Sequence, residues 1–498
     1  MTQLLSKFFL KDPGKWYFWM LMAFICKGLF FIFLLSKQEI NSIPGFWGET
    51  SGDTNDYITS INNFMATGSY SPDYRMPGYG LIYLPFALIF SKPMAYNFLI
   101  LFQFTVAAFS VYPLALIAKY ISKSSTIFYL TFYLYIISTF CSIFDSSLLT
   151  ESFATAFLIF SVFFFLKGTQ ERKKICYFLL SGIFLAWVIS LRPVYAPLLV
   201  LYSLVLLVGI LKKQLQASWY CVSCIVLPFV LCDTLWIIRN YKAHTEFIPL
   251  IKMYSPDIES SYKPPLINFV QSWGGSEVWW EPSAEIRWFG IPQERIPGQR
   301  PIQNYNISLP DYIYTSQFNY DSLLLVKTLI TEYISVRNDS LNKAKASTLL
   351  SSIGTKLNLY TVSIKKEKPF LYYVTAPLIL TRKFLINSGT CNLFDKPYNE
   401  LSPAESFFKL FFSLFYIFIL MFGLMGILLF ARESIKLTPT SLVTGIILFT
   451  IIIHPVILRK CETRYFVPAY PFMLLCAAYS LNWIYNKLKT PGYSAVEL

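Results

Sequence analysis

Gly52-Asp53-Thr54-Asn55-Asp56-Tyr57, followed by Arg75-Met76-Pro77-Gly78-Tyr79, is a polar island between two long apolar runs, 16–36 before it and 95–118 after it. Carboxylates and guanidinium groups are costly in lipid and are kept there mostly for function. Two acids and a cation at the end of a first membrane span therefore read as a reaction site at the boundary of water and lipid. The rest of the chain reads as its support.

The 498 residues are 55% hydrophobic and 18% aromatic but only 14% charged, with a mean hydropathy of +0.49. Soluble domains carry roughly a quarter charged residues, so this composition is that of a polytopic membrane protein. A net charge of +14 would suggest nucleic acid as the partner of a soluble chain. No continuous basic face interleaved with aromatics occurs, which excludes that class. The nine cysteines show no CxxC or Cys/His metal spacing. Most lie inside apolar runs as small hydrophobes, which leaves Cys391 and Cys461 as the pair that an oxidising compartment could join. The run 16–36 has full-span length and no small-residue cleavage site after it, so it reads as a retained span rather than a signal.

A helix needs about 20 apolar residues to cross the hydrocarbon core. Ten stretches are read as crossings: 16–36, 95–118, 126–144, 148–166, 176–191, 195–211, 219–238, 407–430, 441–458 and 466–485. Basic residues gather on alternate loops, at Lys7, Lys11 and Lys15, at Lys119 and Lys123, at Lys167 to Lys174, at Lys212 and Lys213, at Arg432 and Lys436, and at Lys487 and Lys489. That alternation is the positive-inside pattern. It places both termini in the cytosol and the polar island outside. Two apolar stretches are excluded as crossings. The stretch 79–90 is about a dozen residues, the length of an interfacial or re-entrant piece. The stretch 370–386 contains Arg382 and Lys383 and reads as an amphipathic helix in the interface.

The chain is thus expected to comprise a seven-span module, 1–238, with its first outer loop at 37–94; a polar extracytosolic domain, 239–405; and a three-span module, 406–498. The polar domain is rich in Pro and Trp (Trp273, Trp279, Trp280, Trp288) and has a helix-like stretch at 320–336. The expected fold class is an α-helical polytopic membrane protein of about ten transmembrane helices, with interfacial helices and an outer domain of mixed α/β type.

The acids and arginines beside the outer ends of the spans would meet at one depth: Asp53, Asp56 and Arg75, then Asp145, Glu151, Arg192, Asp233, Arg239 and Arg464. Burial raises a carboxyl pKa and a neighbouring cation lowers it, so an acid beside an arginine stays ionised and able to accept a proton. Arginine stays charged and binds phosphate oxygens in bidentate fashion. A proton acceptor beside a phosphate-binding group is the chemistry of a sugar transferase with a polyprenyl-phosphate donor. Plainer roles compete with each assignment: a helix cap for Asp53, snorkelling for Arg75, outer-end anchoring for Arg192 and Arg239, a turn for Asp145, and a structural hydrogen bond for Glu151. Trp279 and Trp280 could stack on sugars, though interfacial anchoring is the commoner role. His454 reads as buried and neutral, His244 as a surface residue.

The order Asp53-Thr54-Asn55-Asp56-Tyr57, then Arg75-Met76-Pro77-Gly78-Tyr79, resembles the first outer loop of the GT-C glycosyltransferases, in particular the branch with the protein O-mannosyltransferases and the aminoarabinose transferase of lipid A. Leu149-Thr150-Glu151, Leu191-Arg192-Pro193, Trp236-Ile237-Ile238-Arg239-Asn240-Tyr241 and Thr463-Arg464-Tyr465-Phe466-Val467-Pro468 look like further landmarks of that branch. The resemblance implies an inverting transfer from an undecaprenyl- or dolichyl-phosphate sugar to an acceptor glycan, lipid or protein. It makes Asp53 the general base, with Asp56 and Glu151 as further catalytic acids. Arg75, Arg464 and Arg239 would hold the carrier phosphate, and Asp145, Arg192 and Tyr57 would support the acceptor or the loop. One departure stands out: where the family often has an acid directly after its aspartate, this chain has Thr54, so the role of the second acid stays open. Some relatives bind a divalent metal; with His244 and His454 as the only histidines, a His-based site is not expected.

The main rival is a secondary transporter or flippase of a lipid-linked or anionic substrate, a class marked by inverted repeats and midplane polar residues. No repeat is evident and the span centres read as almost free of charge. A polysaccharide ligase or polymerase would share the carrier but not the early acid-rich loop. The expected location is the bacterial inner membrane, with the site facing the periplasm.

Overall fold

The computed structural model describes residues 12–37, 43–171, 174–213, 215, 218–251, 260–275, 309–394 and 398–489. In chain order its main helices are α1 (Trp16–Lys37), α2 (Gly52–Thr67), α3 (Gly78–Ile89), α4 (Lys92–Ser122), α5 (Ser125–Ile137), α6 (Glu151–Gln170), α7 (Lys174–Leu191), α8 (Leu198–Leu211) and α9 (Trp219–His244). There follow α10 (Lys263–Ser272), α11 (Tyr320–Val336), α12 (Lys343–Glu367), α13 (Ala376–Leu385), α14 (Pro403–Ile435), α15 (Ser441–Ile451) and α16 (Tyr470–Lys489). The protein is an α-helical, multi-pass membrane protein. Among the described residues six helices are long and apolar enough to cross a bilayer, and a seventh crossing arises if α5 and the helical turns after it, which bend by 48°, count as one span. The expected ten crossings therefore include three weaker members. Ile175–Leu191 and Ser441–Ile457 are apolar but short, and α16 is diluted by Asn482, Asn486 and Lys487.

The chain divides into two compact units, the first from 1–251, 385–450 and 463–498 and the second from 252–384 and 451–462. In the first, α2 is the helix made by the polar island. Its N-terminus is built by a reciprocal cap between Ser51 and Thr54, in which the Ser51 N–H donates to Thr54 Oγ1 at 2.9 Å. The Thr54 hydroxyl then donates to the Leu148 carbonyl at 3.0 Å. Thr54, Ile58 and Ile61 are buried at i, i+4 and i+7, one stripe of the helix. Ile58 and Ile61 pack in a core with Tyr79, Ile82, Tyr83, Leu99, Ile100 and Phe153. Asp53 and Asp56 lie off that stripe and are left half-exposed. Thr54, the departure from the family pattern, is thus the residue that closes α2 and ties it to the turn before α6.

That turn is held from three sides. The Glu49 N–H donates to the Ser146 carbonyl at 2.9 Å and the Leu148 N–H to the Glu49 carbonyl at 3.0 Å. From α4, the buried Gln103 amide nitrogen lies 2.9, 3.2 and 2.8 Å from the carbonyls of Phe144, Asp145 and Ser147. Buried backbone outside a helix needs such partners.

Gly78, at the first position of α3, meets α7 at close range: a Cβ added there would come within 2.7 Å of the Ser190 carbonyl group. Gly78→Ala must therefore push α3 from α7 and carry Arg75 with it. The expected cost is about 1–3 kcal/mol, seen as a fall in the thermal midpoint of the detergent-solubilised protein. An unchanged midpoint would show that the two helices do not touch there.

The second unit is a small helical bundle. Leu266, Phe269, Val270 and Trp273 from α10 and its end, Val326 and Ile330 from α11, and Ile353, Leu357, Tyr360 and Ile364 from α12 share one core. The helix expected at 320–336 is α11. Among the described residues this unit has no strand, which differs from the expected mixed α/β type; its described core is built from the apolar faces of α10, α11 and α12. Residues 276–308, with Trp279, Trp280 and Trp288, lie outside the described part. Within the stretch expected as an interfacial helix, residues 370–385 are helical. No disulfide joins Cys391 to Cys461.

Candidate functional site

Three segments of the first unit bring charge to one place: the N-terminal turn of α2 with the 74–78 turn, the α6–α7 ends, and the 463–466 turn before α16. Asp56 Oδ2 lies 3.4 Å from Arg75 Nη2, and the same nitrogen is 3.7 Å from Asp53 Oδ1. Asp53 Oδ2 is ion-paired with Arg464 Nη1. Arg464 Nε reaches Glu151 Oε1 at 3.9 Å, and that oxygen is ion-paired with Arg192 Nη2. Arg192 Nε donates to Thr150 Oγ1 at 3.1 Å. The result is a row of alternating carboxylates and guanidiniums whose formal charges cancel. Aromatic rings flank it, with Arg75 5.4 Å from the Tyr57 ring and Arg192 and Arg464 each 5.4 Å from the Tyr465 ring, inside cation–π range.

Burial is graded along the row. The side chains of Asp53 and Arg464 are 24% and 23% exposed, whereas that of Glu151 is 0% exposed. Asp53 is therefore open to solvent, while Glu151 lies sealed beneath it, paired with Arg192 and near Arg464. Burial pushes the Asp53 carboxyl up, but the Arg464 and Arg75 guanidiniums outweigh it and hold the group below its ordinary range. Burial draws the Arg75 guanidinium down, and Tyr57, Asp53 and Asp56 more than reverse this. The Tyr57 phenol is pushed up, chiefly by burial. Two atoms of the row, Arg75 Nε and Glu151 Oε2, are buried without a hydrogen-bond partner among the described residues, a state that costs about 1–3 kcal/mol per group unless a ligand or solvent relieves it.

Asp145 and Arg239 make their contacts elsewhere. Asp145 forms a buried pair with Lys27 at 3.0 Å and accepts from Ser152 Oγ at 2.6 Å. Lys27 lies in the middle of α1, where the span centre read as uncharged, and is 2% exposed. Arg239 pairs with Asp73, which also contacts His244. It donates further to the Tyr70 carbonyl and lies over the Trp236 and Tyr70 rings at 5.3 and 5.5 Å. It thus fastens the 70–75 loop to α9. Sequence reading missed Asp73, Lys27 and Gln103. The signal for Lys27 and Gln103 was a lone polar residue inside an apolar run; Asp73 carried none beyond its place beside Arg75.

For a divalent cation the residues fit poorly. Each acid of the row faces a guanidinium, and among the described residues no group of three or more His, Cys, Asp or Glu side chains is arranged to hold a metal.

No family model and no curated protein sequence matches the chain. Solved structures of an archaeal enzyme are similar to it. The Archaeoglobus fulgidus oligosaccharyltransferase in its apo form aligns with a TM-score of 0.47 and 11% identity, over 95% of this chain and 51% of that one. The same enzyme tethered to an acceptor peptide containing the NVT sequon gives 0.45 and 12%, over 95% and 50%. The Archaeoglobus fulgidus oligosaccharyltransferase AglB in complex with an inhibitory peptide and a dolichol-phosphate gives 0.43 and 11%, over 97% and 53%. The chain thus spans about half the length of these structures.

Proposed function

We propose that the protein is an inverting glycosyltransferase that moves a sugar from a polyprenyl-phosphate-linked donor to an acceptor on the extracytosolic face of the membrane. The observation that carries this reading is the row Asp56–Arg75–Asp53–Arg464–Glu151–Arg192, open to solvent at Asp53 and closed at Glu151. In the proposed step Asp53 takes the proton of the acceptor hydroxyl or amine as that atom bonds to the anomeric carbon. The bond from that carbon to the carrier phosphate breaks, and its electron pair stays on the phosphate oxygen. Arg464 and Arg75 neutralise the charge that develops there. A single displacement inverts the anomeric centre. Asp56 and Tyr57 hold Arg75 in place; Glu151, itself paired with Arg192, does the same for Arg464.

The row also explains how a weak base becomes a useful one. At rest Asp53 is engaged by two guanidiniums. A donor phosphate draws them away and adds a like charge nearby, and both effects raise the carboxyl pKa. The pH–rate profile of kcat/KM reports the free enzyme and that of kcat the bound one. The acid limb of kcat/KM is therefore expected below the ordinary aspartate value of 3.8, and that of kcat at higher pH. The sign for stability agrees: a depressed carboxyl stabilises the fold above its unfolded pKa and loses that contribution as pH falls through the folded value. Coincident acid limbs near pH 6–7 for both parameters, on the order of an unperturbed histidine, would remove Asp53 from the role.

The decisive assay supplies the purified protein in sealed proteoliposomes with a radiolabelled polyprenyl-phosphate sugar and an extract of envelope acceptors. The proposal expects labelled acceptor and free polyprenyl phosphate to appear together. Donor that crosses the bilayer unconsumed would instead identify a flippase.

A further inference from the structure

The second unit holds a cavity of about 350 Å³ lined by Asn268, Gln271, Asn358, Thr361, Val362, Tyr372 and Arg459, in part polar and in part apolar, a volume within the range of small-ligand sites, about 300–1,000 Å³. Two rare backbone features converge on it. Leu371–Thr375 is a π turn, and its cause is in the sequence: Ala376 gives its N–H to the Leu371 carbonyl, and Pro377 has none to give. The Tyr372 carbonyl is thereby left over, and Arg459 Nη2 donates to it at 2.7 Å. A second π turn, Ile452–Ile457, contains Pro455 and ends just before Arg459, whose backbone is left-handed at φ +55°. Single π turns occur often at functional sites, and a non-glycine residue in the left-handed region persists where its surroundings hold it.

What holds Arg459 also orients it. Its guanidinium lies 3.8 Å from the Tyr372 ring centroid, and Nη1 donates to the Gln271 carbonyl, at the end of α10, at 3.0 Å. These contacts use two of five guanidinium donors. Gln271 is 6% exposed, yet its side-chain amide makes no hydrogen bond with any described residue. Asn268 and Asn358 add two more amides at the exposed rim, and none of the described lining residues is a carboxylate. Side-chain amides pair with vicinal hydroxyls, donating and accepting at once, and a fixed guanidinium matches a carboxylate or phosphate. We propose that this cavity binds an acidic saccharide, with Arg459 taking the carboxylate or phosphate and the amides of Gln271, Asn268 and Asn358 taking ring hydroxyls.

The site is tested by binding alone, so it stands whether or not the protein transfers sugars. The full chain in nanodiscs is titrated with galacturonate, glucose 6-phosphate, galactose and inorganic phosphate, followed by saturation-transfer NMR. At least one of the two acidic sugars is expected to bind at least about tenfold more tightly than both galactose and phosphate. The rim variant Asn268→Leu/Asn358→Leu is expected to weaken that binding by about tenfold or more at an unchanged thermal midpoint, and Asp53→Asn is expected to keep it. Arg459→Lys, which retains charge but not the planar fork, should weaken it as well; should that variant fail to fold, the rim variant still decides. Phosphate or galactose binding as tightly as the tighter of the two acidic sugars, no saturable binding of either acidic sugar, or binding that survives the rim variant would each overturn the proposal.

Discussion

Asp53→Asn is expected to lower kcat for sugar transfer by about 10²–10⁴-fold, the usual worth of a positioned general base, while donor binding tightens. The two effects have one cause. Asparagine cannot accept the acceptor's proton, and it no longer neutralises Arg464 and Arg75, which flank the native carboxylate. The row then carries one more positive than negative charge, and the donor phosphate meets guanidiniums that no longer have to leave a carboxylate. An attraction of that kind is worth about 1 kcal/mol between well-screened charges, so the expected gain in donor affinity is up to about tenfold. Lower kcat with lower donor Kd is a pattern that mere unfolding cannot produce. It is read by single-turnover transfer and by equilibrium binding of the same labelled donor. Asp53→Glu, which keeps the charge but moves it, should recover part of the turnover. An Asn variant that retains more than about a tenth of wild-type turnover would be too active for the assigned role.

Lys27→Met is expected to destabilise the protein by about 3–5 kcal/mol, because it leaves the Asp145 carboxylate buried without its counter-ion. Lys27 and Asp145 side chains are 1% and 4% exposed and 3.0 Å apart. Lys27 also donates to Ser142 Oγ at 2.9 Å and sits 5.2 Å from the Tyr135 ring, so nothing in its surroundings can be replaced by water. Asp145→Leu alone strands the ammonium in the same way. The double variant Lys27→Met/Asp145→Leu removes both charges, and replacing a buried pair by apolar side chains is often close to neutral. Thermal unfolding of all four proteins in one detergent closes the cycle. The double variant should lie well above the sum of the singles, whereas additivity within about 0.5 kcal/mol would show that the pair is not coupled. Transfer should fall in the single variants too, since the segment that Asp145 anchors leads into Glu151.

The particular residues show where sequence reading reached and where it stopped. Asp53, Arg75 and Arg464 were singled out together, and they meet, although Asp53 and Arg464 are 411 positions apart. Groups placed at the ends of membrane spans, at one depth, have few places to be, which is why reading span ends brought these three together. Depth alone does not choose partners. Arg239 was grouped with the phosphate-binding arginines, but Asp73 and the Tyr70 carbonyl take it. Asp145 was placed beside Glu151 by its position at a span end, yet Lys27 of α1 faces it first. Thr54 read as a gap in an acid pattern; in the fold it closes α2 and bonds to Leu148, a role set by a contact 94 positions away.

By itself the sequence determined that the chain lies in a membrane as helices, and that an early polar island at the end of its first span carries acids and an arginine. Those are local or additive properties, fixed by apolar length and by the 3.6-residue period. The tertiary structure alone decided which carboxylate meets which guanidinium, which acid is open to a substrate and which is sealed, and that the polar block folds as a helical bundle around its own cavity. Ion pairing and burial depend on how distant helices pack, and that packing is set by the summed shape of many side chains rather than by any motif.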